Sequence, residues 1–200
     1  SKRISSTCKN AKQWGLFSAT IPKKVQTLLD NLFKGVQVVQ SQSSHRTVAS
    51  LNTRNCKVTD GNRWPVLEKI LSESSKGDSG GTLIFTNTRE QCDKLAKVLE
   101  QNNIPCAIYR GDMEKNKRRT NLKKFRLGQI DLLVTTELGS RGLDIERVDR
   151  VVNYFLPKNL DNYLHRVGRT ARAGRGGTVY NLITERDEWL IEEIESLKPQ

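Results

Sequence analysis

Cysteine is scarce in this chain and poorly spaced for chemistry: Cys8, Cys56, Cys92 and Cys106 lie far apart, with no CxxC pair and no His-rich partner segment. No zinc site or disulfide framework is signalled, which fits an intracellular reducing compartment. Long apolar runs are missing as well. No stretch approaches the roughly 18 uncharged residues that a membrane span needs, and the opening SKRISSTCKN lacks the apolar middle of a secretory signal. Transmembrane and exported readings fall away. Internal repeats and low-complexity tracts are absent. Acid is short too: 22 Asp plus Glu stand against 34 Lys plus Arg, a formal net charge of +12 over 200 residues. What remains is a basic chain whose apolar content of 36% and charged content of 28% sit near globular values, which excludes wholesale disorder. The first residue is not Met, so a fragment of something longer is expected.

Short apolar runs alternate with helical patterns, which is how a parallel sheet covered by helices reads. Strands are predicted at Thr82 to Thr86, Pro105 to Tyr109, Ile130 to Thr135, Val148 to Phe155 and Thr178 to Ile183. Between them, Cys92, Leu95, Ala96 and Leu99 recur at helical spacing, Leu122 and Phe125 mark the inner face of a very basic helix, and Leu160 to Val167 and Trp189 to Leu197 read as helices. The first forty residues differ: Trp14 to Ala19 reads as a strand and Val25 to Phe33 as an amphipathic helix, ahead of a polar linker, Ser41 to Ser50. The loop Gly77 to Gly81 lacks a following Gly-Lys-Ser or Gly-Lys-Thr, so it is not a phosphate cradle of the P-loop kind.

The positive charge is localised. From Arg110 to Arg126 eight bases face only Asp112 and Glu114, a segment that would attract a polyanion, whereas the tail from Glu185 is acidic and reads as a solvated helix face. Further on, YLHRVGRTARAGRGG (163–177) places Arg166, Arg169 and Arg172 three residues apart. On a helix or helical turn that spacing sets successive guanidiniums on roughly the same side, where their repulsion is offset only by an anion or acidic groups opposite. A phosphate chain suits them, because planar guanidiniums pair bidentately with phosphate oxygens and stay charged. A nucleic-acid backbone or surface carboxylates would serve as well. Upstream, SRGLDI (140–145) follows a strand, and in open α/β sheets ligands bind beyond such carboxyl ends, so Thr136, Arg141 and Asp144 are well placed to meet one. Asp144 could equally cap a helix or turn.

SRGLDI at 140–145 and HRVGRTAR at 165–172 resemble the fifth and sixth motifs of DEAD-box RNA helicases. Ser18-Ala19-Thr20 is similar to their third motif, LIFTNT at 83–88 to their fourth, and Arg110-Gly111-Asp112 with Arg118 to the intervening RNA-contact segment, all in the family's order over nearly the whole chain. His165, where related helicase groups carry Gln, points to the DEAD-box branch. The resemblance implies an α/β fold, a RecA-like parallel sheet with helices on both faces, forming the second lobe of a superfamily 2 helicase core. Residues 1–40 would then be the trailing end of the first lobe, 41–50 a linker and 51–200 the carboxyl-terminal domain.

By the same resemblance Arg169 and Arg172 are similar to arginine fingers that reach ATP phosphates held on the other lobe, with Arg172 the first choice. Gly142 and Asp144 would line the nucleotide, Asp144 at the ribose. His165 and Arg166 would complete the catalytic set and link it to Ser18, Ala19 and Thr20. Thr88, Gly111, Arg118 and Thr136 match positions that grip one strand's sugar-phosphate backbone with little base readout. The implied cofactor is ATP with magnesium, bound mainly by the missing first lobe; no metal site is implied in these residues. The implied partners are single-stranded or duplex RNA and the first lobe of the same chain, in a monomer without membrane attachment. The sequence departs from the family at Arg110 (usually His), Lys115 (Gln), Glu137 (Asp) and Ala171 (often Gly), which is expected to add charge and change the grip on RNA. Without a P-loop and an acidic metal motif, these residues alone are expected not to hydrolyse ATP. Two other readings stand beside this one: a DNA-directed helicase of the same superfamily, and a nucleic-acid-binding or interaction module with an inactive ATP site.

Overall fold

The computed structural model describes residues 27, 29–31, 37, 51–73, 80–140, 145, 147–170 and 176–196. The chain divides into two compact units, residues 1–44 and 45–200. In the first, Thr27 and residues 29–31 are helical, inside the predicted helix. The predicted strand at 14–19 and the linker at 41–50 lie outside the described residues.

In the second unit six strands form one parallel sheet: β1 (Asn52–Lys57), β2 (Gly81–Thr86), β3 (Ala107–Tyr109), β4 (Leu132–Thr136), β5 (Val148–Asn153) and β6 (Thr178–Ile183), in the order β1-β6-β5-β2-β4-β3. The helices are α1 (Trp64–Ser72), α2 (Arg89–Gln101), α3 (Lys115–Arg126), the single turn α4 (Glu137–Ser140), α5 (Leu160–Val167) and α6 (Glu188–Ser196). After β2 the chain moves one way to β3 and β4, and after β4 it crosses to the other side of β2 for β5 and β6. The reversal opens a crevice beyond the carboxyl ends of β5, β2 and β4, the place where such sheets bind ligands.

Both faces are covered. On one, Ile84, Val134, Val152 and Leu182 meet Leu67 and Ile70 of α1 and Cys92, Leu95 and Leu99 of α2. On the other, Leu83, Phe85, Leu133 and Val151 meet Phe125 of α3, Tyr163 and Val167 of α5, and Leu190 and Ile194 of α6. Every residue of β2 is buried, as expected of a central strand with helices on both sides. Gly81 opens β2 against the Phe125 ring, and a Cβ there would overlap the ring atoms.

The five strands and four helices predicted downstream of residue 80 are all present. Neither β1 nor α1 is among the predicted elements. β1 reads NTRNCK and carries the exposed, polar residues of a sheet edge, with no apolar alternation to signal it. For α1 a signal exists: Pro65 in the first turn, then Leu67, Ile70 and Leu71 at helical spacing.

Candidate functional site

The parallel register brings four loops to one edge of the sheet. β2 and β4 pair from Thr82 with Leu132 to Thr86 with Thr136, so Thr88, just past β2, and Thr136, at the end of β4, stand at neighbouring strand ends. β3 pairs with β4 through Tyr109 and Thr135, which puts Gly111 next along the row. Thr88 is the N-cap of α2: its hydroxyl accepts from Gln91 N, and the Gln91 side chain accepts from Thr88 N at 3.1 Å and Asn87 N at 2.9 Å. This reciprocal cap fixes the start of the helix. Thr135 Oγ1 donates to Tyr109 O at 2.6 Å, tying the ends of β3 and β4 together. Gly139 lets α4 press onto the same place, where a Cβ would stand 2.7 Å from Tyr109 O. Arg118 leans back from α3: its Nη1 donates to Gly111 O at 3.3 Å, and its guanidinium lies 5.7 Å from the centre of the Tyr109 ring. Thr88, Gly111, Arg118 and Thr136 therefore lie along one edge, with their backbone held by bonds internal to the lobe.

At the crevice stands Arg166, the bulkiest fully buried side chain among the described residues, at 1% exposure. Its Nη1 donates to Phe155 O at 2.8 Å and Asn153 Oδ1 at 3.3 Å, and its Nη2 donates to Asn87 Oδ1 at 2.8 Å and lies 3.7 Å from Glu137 Oε2. Arg166 thus clasps the loops after β2, β4 and β5, with the Phe85 ring under its guanidinium at 5.1 Å. Burial pushes its pKa down to about 10, and the Glu137 carboxylate opposes that shift. Asn153 carries the pattern sideways. An arginine can only donate, so Asn153 turns its carbonyl to Arg166 and its amide to Asn181 Oδ1, at 2.9 Å. Asn181 in turn donates to Asn55 Oδ1 at 3.0 Å and to Tyr163 Oη at 3.2 Å. Asn55, Asn181 and Asn153 are in register across β1, β6 and β5, forming one polarised chain of amides that ends on Arg166.

Arg166 lies on a helix and Arg169 on the turn that follows it. α5 ends at Val167, and the chain turns through Gly168, Arg169 and Thr170 on shorter bonds, Arg169 N to Arg166 O and Thr170 N to Val167 O. Thr170 is buried and its hydroxyl donates to Val148 O at 2.8 Å, so the segment spans β5 from its carboxyl end at Arg166 to its start at Thr170. Half-buried between these anchors, Arg169 folds its Nε back onto His165 O at 3.2 Å. His165 is itself half-buried on α5. The structure holds His165, Arg166 and Arg169 on one short anchored segment. Arg172, Gly142, Asp144, Ser18, Ala19 and Thr20 lie outside the described residues.

Arg110 does not add free charge to the edge. Its Nη1 is 2.7 Å from Asp93 Oδ2 and its Nε 3.5 Å from Asp112 Oδ1, while Arg89 Nε reaches Asp112 Oδ2 at 3.6 Å. The larger cation at this position brings its own acids, and Asp93 together with Asp112 raises its pKa against the effect of burial. Lys115 does stand exposed at the first turn of α3. Sequence reasoning missed Asn87, Asn153 and Asn181. The signal was there, since asparagine inside the apolar strands VVN and TVYNLI is unfavourable unless its amide is bonded. Among the described residues no group of three His, Cys, Asp or Glu could hold a metal ion, and no helix is long and apolar enough to cross a membrane.

The lobe is thus a parallel sheet with helices on both faces, and a buried arginine and an anchored arginine turn flank its carboxyl crevice. Residues 62–174 match the helicase conserved C-terminal domain, and the chain belongs to that family. It is 31% identical over 201 residues to the ATP-dependent RNA helicase DBP2 of Saccharomyces cerevisiae strain S288c, covering 98% of this chain and 36% of that protein. It is 39% identical over 178 residues to DEAD-box ATP-dependent RNA helicase 10 of Arabidopsis thaliana, covering 88% of this chain and 38% of that protein. Among solved structures, S. cerevisiae Dbp5 bound to RNA and ADP BeF3 superposes with a TM-score of 0.81 at 25% identity, covering 98% of this chain and 51% of that one. The chain spans about a third of the length of the curated relatives it matches.

Proposed function

We propose that the intact protein is an ATP-dependent RNA helicase. In this reading the lobe closes on a first lobe, presents arginines to the nucleotide and grips one RNA strand along its carboxyl edge. The observation that carries the reading is the anchored segment from His165 to Thr170, which holds Arg169 at a fixed place on β5 while Arg166 ties the same segment to the strand-end row. A guanidinium set by its neighbours is suited to neutralising charge that develops as a terminal phosphoryl group departs. The donor present fits a triphosphate: an arginine, Arg169, on an ordered turn. Magnesium, which would neutralise phosphate charge when bound, is assigned with the P-loop to the first lobe. Arg169 and Arg172 are the fingers, Gly142 and Asp144 line the nucleotide, and Thr88, Gly111, Arg118 and Thr136 hold the strand. Ser18, Ala19 and Thr20 couple the lobes. The protein acts as a monomer in an intracellular reducing compartment.

The test is ATP hydrolysis by the intact protein without nucleic acid, with single-stranded RNA, and with DNA of the same sequence. Stimulation by RNA alone supports the proposal; equal stimulation by DNA moves the protein to a DNA-directed helicase. No hydrolysis under any condition leaves a binding module. Arg169→Ala and Arg172→Ala should each lower the RNA-stimulated turnover by on the order of 10³, as loss of a finger does in other phosphoryl-transfer enzymes. Near-normal turnover in both would remove the fingers from this segment.

A further inference from the structure

The outer face of α3 has no role in the strand-end row, and its composition sets it apart. Its twelve residues, KNKRRTNLKKFR, hold seven bases and no acid. Leu122 and Phe125 turn into the core, Arg118 onto Tyr109 and Gly111, and Lys117 and Lys124 line a separate groove with Asn121, while Lys115, Arg119, Lys123 and Arg126, at i, i+4, i+8 and i+11, form one exposed stripe. At 1.5 Å per residue the stripe runs about 16 Å. It has a direction. The helix starts beside Gly111 at the carboxyl edge of the sheet and ends with Phe125 against Gly81, the first residue of β2, where Arg147 Nη1 donates to Phe125 O at 3.4 Å. The stripe thus leads from the strand-end row to the opposite edge of the lobe, along a shallow open groove lined by Asn116, Arg119, Thr120, Leu122, Lys123 and Arg126.

Such a helix works against itself. Like charges at i and i+4 repel, and cations in the first turn oppose the helix dipole, with no acid in that turn to offset them. Elsewhere in the lobe several arginines are matched: Arg54 with Glu73, Arg89 and Arg110 with Asp112, Arg147 with Asp131. Lys115, Arg119 and Lys123 have no such acid within ion-pair distance among the described residues.

We propose that this stripe is a second phosphate-binding track, which holds the backbone of the RNA flanking the strand gripped at the carboxyl edge. The inference rests on the helicase reading. A polyanion supplies the missing counter-charge and releases condensed ions as it binds. An acidic protein fits less well. Protein interfaces exclude charge from their cores and deplete lysine, whereas nucleic-acid interfaces are polar and strongly positive, as this groove is. The flank is single-stranded or duplex RNA; the phosphate chemistry is common to both.

The test uses the intact protein and its variant Arg119→Ala/Lys123→Ala/Arg126→Ala. Binding is measured against salt with an oligouridylate just long enough for the strand-end row, and with the same oligomer extended at either end by single-stranded or by duplex RNA. The wild type should bind at least one extended RNA more tightly and with a steeper salt dependence. The variant should lose that gain, its log–log salt slope for that RNA falling by about 2 to 3 for three lost phosphate contacts. Binding of the short oligomer, and the hydrolysis it stimulates, should stay within about twofold. Whichever extension responds identifies the flank. The Arg119→Lys/Arg126→Lys variant, which with Lys123 keeps all three charges, should keep the wild-type slope, and matched thermal melts show that the alanine variant is folded. Two outcomes overturn the track: unchanged slopes on every extended RNA, or equal loss on the short oligomer. If the short oligomer fails to stimulate wild-type hydrolysis, it is the helicase reading that fails.

Discussion

Arg166 stands at 1% exposure with both terminal nitrogens donating to the lobe's own oxygens, whereas Arg119, on a helix of the same lobe, stands exposed with no acid in ion-pair range among the described residues. One charge has been withdrawn from water and the other left in it. Burial is costly for a cation and is sustained only where every lobe oxygen around it is aimed correctly. Arg166 approaches that condition: its terminal nitrogens meet Phe155 O, Asn87 and Asn153 with Glu137 nearby, its Nε alone has no hydrogen-bond partner, and in return it defines how three loops meet. Lys115, Arg119 and Lys123 of α3 stand exposed with no acid in ion-pair range among the described residues. The difference gives a rule for a basic protein of this kind: buried arginines shape the site, and exposed ones recruit to it.

The sharpest way to break the comparison is to remove the buried member. Arg166→Ala would leave Asn153, Asn87 and Phe155 O without their donor and Glu137 without its nearby cation, and should destabilise the chain by about 3–5 kcal/mol. Denaturant unfolding of the 200-residue chain measures this. A loss below about 1 kcal/mol would mean that the loops hold their arrangement without the clasp. Added salt should not rescue the variant, because a buried site is little screened.

A smaller effect is expected one step along the amide chain. Asn181→Leu removes the acceptor of Asn153 and the donor to Asn55 and Tyr163, all within the sheet and the helix packed on it. Buried polar groups left unpaired cost about 1–3 kcal/mol. If the chain serves Arg166, the double variant Asn181→Leu/Arg166→Ala should be less destabilised than the sum of the two single changes. Strict additivity would make the asparagines independent sheet contacts.

These two regions were unequally legible in the sequence. α3 could be read directly, since a run of bases at helical period needs only the chain itself to be seen. The Arg166 site could not, because its partners come from the loop after β2, the end of β5 and the start of α4, which become neighbours only through the strand order. The sheet and its covering helices were clear wherever apolar runs were long, as in Thr82 to Thr86, and silent at Asn52–Lys57, where an edge strand buries too little to mark itself. Arg166, Arg169 and Arg172 were recognisable as a set, yet their three-residue spacing suggested a shared side of a helix or helical turn. The helix stops at Val167 and the first two part company, one inward and one onto a turn.

The smallest effect is the one that separates the two uses of charge most cleanly. Arg119→Ala, in the absence of RNA, removes a like-charge neighbour of Lys115 and Lys123 and replaces arginine with the strongest helix former. At low salt the variant should therefore be more stable than the parent, by a few tenths of a kcal/mol. The repulsive part of that gain should fade near 1 M salt, where the Debye length falls to about 3 Å. Paired melts at low and high salt, with Arg166→Ala as the counter-case, read both signs in one experiment. A loss of stability in Arg119→Ala would show that this arginine has a structural partner and belongs with the buried class, and the contrast between the two regions would then be one of degree.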